Sequence, residues 1–72
     1  MTFAEKLKTL RKKYNYTQSE LADIIGINRA TVAGYETGRK QPNFETLIKI
    51  ADAFNVSTDF LLCRKAVQNN DK

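Results

Sequence analysis

Apolar residues recur along this chain at the spacing of short helices. Phe3, Leu7, Leu10 and Tyr14 stand at i, i+4, i+7 and i+11, one stripe of a helix, and Thr2 with Glu5 forms a capping box at its start. Thr17 with Glu20 repeats the box, and Tyr16 before it is placed to staple onto Leu21. The second helix is expected to run to about Ile25, with Leu21, Ile24 and Ile25 inward and Gly26 as its stop. The pattern restarts at once: Asn28 is a good N-cap, Ile27 can staple onto Val32, and this third helix ends at Gly38. Pro42 breaks the following loop, and Asn43 opens a fourth helix whose Phe44, Leu47, Ile48, Ala51 and Phe54 predict another inward stripe. Asn55 suits a left-handed turn after it. Ser57 caps a last short helix, with Val56 stapling to Leu61 and Asp59 in the first turn.

No alternating Val/Ile/Thr run competes with these helices, so the expected fold is all-α, a compact bundle of five short helices. Residues 1–63 are expected to form one domain and residues 64–72 a polar C-terminal tail that frays. The connection between the second and third helices is the shortest with a Gly at its centre, which predicts a steep crossing, as in a helix-turn-helix.

Composition narrows the chemistry. With 72 residues the chain has room for one small core and buries only roughly 60% of its unfolded surface. No apolar run approaches the roughly 20 residues that span a membrane, and the N-terminus lacks the apolar stretch of a secretory signal, so a cytoplasmic protein is expected. The sequence has no His and a single Cys, Cys63, which reads as a small apolar residue near the chain end rather than a reactive thiol. The usual zinc sets, Ser-His and Cys-His pairs and the commonest general base are therefore missing, and neither an enzyme nor a metal or other cofactor is expected. Twelve Lys and Arg against eight Asp and Glu give a net charge of +4, compatible with a polyanionic partner.

The third helix raises a sharper question, because NRATVAGYETG carries Ala, Ala and Gly where a helix gains nothing from Gly. At about 100° per residue, Asn28, Thr31, Val32, Tyr35 and Glu36 share one arc, and Arg29, Ala30, Ala33, Gly34 and Thr37 the opposite one. Val32 and Tyr35 anchor the helix inward. The outer arc then holds one long cationic side chain and little bulk, with Arg39 and Lys40 flanking it. Such a face suits a helix lying in the major groove of DNA, where base edges are read by Arg forks, hydroxyls and apolar contacts. The competing reading, tight packing of the small face on a neighbouring helix, would strand Arg29 away from water.

The run TQSELADIIGINRATVAGYETGRKQPNFETLIKIADAFNVSTDFLL resembles the phage-repressor-like helix-turn-helix family of the Xre or Cro type. The resemblance rests on Gln18, Leu21-Ala22, Gly26, Val32, Tyr35-Glu36, Gly38, Pro42 and the closing Asn55-Val56-Ser57 with Asp59-Phe60-Leu61-Leu62, and covers residues 3–62. It implies base-facing positions at Arg29, Ala30, Ala33 and Gly34, with close approach at Gly34 replacing the polar side chain that many relatives carry there. It also implies that Gln18 hydrogen-bonds a phosphate and steadies side chains over the bases. Thr31, Thr37, Arg39, Lys40 and Asn43 are the further expected backbone contacts, and Arg11 and Glu36 the expected salt bridge between the first and third helices.

These readings lead to a sequence-specific transcriptional regulator, a repressor that binds double-stranded DNA at an inverted repeat as a homodimer. Leu61, Leu62 and Val67 stand as candidates for the dimer surface or, equally, for the core. Two alternatives remain open: an antitoxin or protein-interaction module on the same fold, and the N-terminal part of a larger ligand-responsive regulator. No small-molecule ligand is evident from the sequence.

Overall fold

The computed structural model describes residues 1–63; the expected tail, with Val67, lies outside the described residues. Five helices follow one another: α1 (Phe3–Lys13), α2 (Gln18–Ile25), α3 (Arg29–Thr37), α4 (Phe44–Phe54) and α5 (Thr58–Leu61). Each begins at a side chain that accepts a hydrogen bond from the backbone N–H three residues on: Thr2, Thr17, Asn28, Asn43 and Ser57. Both expected capping boxes are closed, Glu5 and Glu20 each accepting the N-cap backbone N–H in return. At the first, hydrogen bonds from the Thr2 backbone N–H and hydroxyl hold the Glu5 carboxyl below the usual carboxylate range.

Left-handed residues end the helices. Gly26 (φ 86°), Gly38 (φ 80°) and Asn55 (φ 55°) close α2, α3 and α4, and Asn15 (φ 61°) turns the chain after α1. At Gly26 the closure is tight: its own N–H and that of Ile27 both donate to Ala22 O, at 2.8 and 2.9 Å. Three residues therefore suffice to pass from α2 to α3.

The core gathers Leu7 and Leu10 of α1, Leu21, Ala22 and Ile25 of α2, Val32 and Tyr35 of α3, Leu47, Ile50, Ala51 and Phe54 of α4, and Leu61 of α5. Tyr14 closes one end, its ring edge-on to Phe54 and its hydroxyl donating to Phe54 O at 3.0 Å. Two expected stripes are corrected. On α2, Ile24 is 49% exposed and Ala22 is buried instead. On α4, Ile50 takes the inward place, while Phe44 is 86% and Ile48 53% exposed. The buried set Leu47, Ile50, Ala51 and Phe54 keeps the i, i+3, i+4, i+7 spacing, which leaves Ile48 off its flank and Phe44 in the first turn, beyond the packed centre. Among the described residues, no helix is long and apolar enough to cross a membrane.

Candidate nucleic-acid interface

α3 is held by its two ends and one face. Asn28 Oδ1 accepts from the Thr31 N–H and the Thr31 hydroxyl, both at 2.8 Å, fixing the first turn. Val32 is fully buried, and the Tyr35 ring meets Phe3 of α1 edge-on with centroids 6.4 Å apart. With that side committed to the core, Arg29 and Ala30 stand exposed and Ala33 half-buried on the other.

These residues, with Gly34, Thr37, Arg39 and Lys40, line an open concavity of about 500 Å³. Its lining charges are all cationic: Arg29 at one end, Arg39 and Lys40 at the other. Its small lining residues are Ala30, Ala33 and Gly34. A groove with polyanionic walls can close on the α3 backbone here, with cations near both ends of the helix.

Gly34 differs from expectation. It lies on this face, yet it is buried, because the aliphatic stem of Lys40 crosses it: a Cβ built there would stand 3.1 Å from both Cγ and Cδ of Lys40. The Lys40 backbone N–H also donates to Gly34 O at 3.1 Å, folding the chain after Gly38 back onto the helix. Sequence spacing could not show this, since it depends on the path of the loop rather than on helical periodicity.

Beneath the face runs a polar network. Arg11 forks onto Glu36, with Nε 2.6 Å from Oε2 and Nη2 3.2 Å from Oε1, while Nη1 donates to Tyr16 O at 2.8 Å. The pair is largely out of water, at 12% and 3% side-chain exposure. Gln18 Nε2 donates to the same carboxylate at 3.2 Å, and Gln18 Oε1 accepts a long 3.5 Å hydrogen bond from Arg29 Nη1. Glu36 thus accepts bonds from α1 and α2, and through Gln18 the ion pair is connected to the guanidinium on the outer face. The Tyr16 carbonyl and the Gln18 to Glu36 bond have no counterpart in the sequence pattern; Asn15, a residue type that tolerates the left-handed region, marks only the turn that leads into Tyr16.

The remaining expected residues are placed as follows. The Thr31 hydroxyl is spent on Asn28, and the Thr37 hydroxyl donates to Gly34 O at 3.2 Å, so neither offers a proton to a phosphate in this state. Asn43 caps α4 through Oδ1, 2.8 Å from the Thr46 N–H, which leaves its amide NH₂ as a donor. Leu61 is fully buried and belongs to the core, which removes it from the dimer candidates; Leu62 is 41% exposed. Cys63 is exposed. Among the described residues, no cluster of His, Cys, Asp and Glu could hold a metal ion.

Comparison with known proteins places this arrangement. The chain is 42% identical over its whole length to RstR, a transcriptional repressor of the cryptic phage CTXphi in Vibrio cholerae, covering 64% of that protein. The P22 c2 repressor, solved in complex with a synthetic operator, superposes with a TM-score of 0.83 over 86% of this chain and 94% of that one, at 27% identity. SinR, a master regulator of biofilm formation solved in complex with DNA, gives 0.79 over 85% and 98%, again at 27% identity. The chain spans between about half and two thirds of the length of the curated relatives that it matches first. These relatives are transcriptional regulators, in agreement with the expectation of a non-enzymatic chain. A family model for the helix-turn-helix matches residues 7–61, so that core, turn and outer helix face all fall within it, and the chain belongs to the helix-turn-helix family in its phage-repressor-like form.

Proposed function

We propose that the chain is a sequence-specific DNA-binding module of a transcriptional regulator, acting as a repressor and seating α3 in the major groove. The observation that carries this reading is the small-residue concavity on α3, bounded by Arg29, Arg39 and Lys40 and underlain by the Gln18 and Glu36 network. Arg29 reads a base edge, Ala30 and Ala33 admit close approach to the bases, and Gln18, Arg39, Lys40 and Asn43 meet the sugar-phosphate walls. Thr31 and Thr37 take part by releasing their internal hydrogen bonds.

Two copies bind an inverted repeat. One helix of this size reads only a few base pairs, and discrimination over random DNA of about 4–10 kcal/mol is usually reached with two half-sites. Leu62 is the exposed member of the original dimer candidates within the described residues. A protein-interaction module would need aromatic or large aliphatic anchors on the outer face of α3, and that face presents Arg29, Ala30 and Ala33 instead.

Selection of bound duplexes from a random pool tests the reading. The expected product is an enriched inverted repeat with half-site centres about 10 base pairs apart. A pool that stays random after repeated rounds would sink it.

A further inference from the structure

Gly34 has ordinary helical backbone, with no positive φ that would demand glycine, and it is a poor residue for a helix interior. Its lack of a side chain is therefore a matter of what lies over it. That neighbour is part of the same chain: Cβ, Cγ and Cδ of Lys40 would lie 3.1–3.4 Å from a Cβ at Gly34. Two hydrogen bonds converge on the Gly34 carbonyl, from the Lys40 backbone at 3.1 Å and the Thr37 hydroxyl at 3.2 Å. The Lys40 backbone is thus tied to Gly34 by a hydrogen bond, and its stem lies against the same residue of α3.

We infer that Gly34 is a positioning residue, a seat whose open space holds the Lys40 stem against α3 so that its ammonium meets a DNA phosphate already aligned. The inference rests on the DNA-binding reading above and adds a division of labour to it. In place of a free contact between Gly34 and the bases, the glycine acts through Lys40. A lysine on an exposed loop would otherwise lose rotamer freedom on binding, and seating its stem removes much of that loss beforehand. A methyl group at residue 34 is too close to the stem for both to stay as they are, yet the exposed Lys40 side chain can swing away, so the fold survives while the alignment is lost.

A double-mutant cycle with Gly34→Ala and Lys40→Ala tests this on a selected duplex. Alone, Gly34→Ala should lower affinity by about twofold to tenfold and make the slope of log K against log salt shallower, toward the roughly one unit lost with Lys40→Ala. In the Lys40→Ala background it should change neither. Its melting temperature should equal or exceed that of the wild type, which excludes a folding defect as the cause. Equal losses from Gly34→Ala in both backgrounds would overturn the seat and return Gly34 to direct contact with the groove. In the free protein, nuclear Overhauser contacts between Gly34 Hα and the Lys40 Cγ and Cδ protons are expected; their absence would also overturn it. A wild type that shows those contacts but binds no duplex at low salt would overturn the DNA-binding reading, and with it the role assigned to the seat.

Discussion

Arg29 is the one long side chain on the outer arc of α3, and it rests on Gln18 at the start of α2. Its replacement by Ala should weaken binding to a selected site by about 1–3 kcal/mol and relax preference at one base pair in each half-site, as loss of a guanine fork does. Equal loss on competitor DNA of every sequence would assign it to phosphate instead. One layer down, Glu36 accepts bonds from Arg11 and Gln18 while almost fully buried. Changing Glu36 to Gln leaves a desolvated guanidinium without its counter-charge and should lower stability by about 3 kcal/mol; adding Arg11→Met should restore part of it. Additive single losses in a denaturant-unfolding cycle would mean that the two do not interact. The sequence pattern led to this pair through family resemblance. It could not show that the carboxylate also gathers Gln18, or that Lys40 covers Gly34, because both depend on side chains from separate elements meeting in space.

Helix limits were legible because their causes are local: a capping side chain reaches two or three residues and a left-handed Gly or Asn ends what precedes it. The inward faces were less so. Phe44 and Ile48 satisfy a hydrophobic count on α4, but Phe44 lies in the first turn, beyond the packed centre, and Ile48 lies off the buried arc that Ile50 occupies. Ile48→Gln should therefore shift the unfolding free energy by no more than about 0.5 kcal/mol, whereas Ile50→Ala should cost about 2–5 kcal/mol. Comparable losses in urea denaturation would reverse the assignment of the faces. Gly26 is the corresponding test for the turn. Nothing crowds its missing Cβ, yet φ of 86° strains any L side chain, so Gly26→Ala should destabilise by about 1–2 kcal/mol through backbone conformation alone. An unchanged melting temperature would show that the turn can relax.

Taken as a whole, the molecule turns one side of α3 into its core and leaves the other lined by Arg29, Arg39 and Lys40 around small residues. Net charge of +4 would favour any polyanion; the placement of the cations around the small side chains of Ala30 and Ala33 is what favours a groove. The most direct measurement is therefore chemical protection of a selected duplex by the bound protein, using dimethyl sulfate, which methylates guanine N7 in the major groove and adenine N3 in the minor groove. Seating of α3 as described predicts protection of guanine N7 within each half-site, with one such protection lost in the Arg29→Ala variant. Protection confined to adenine N3, or bound DNA with every guanine N7 still reactive in guanine-containing half-sites, would contradict it.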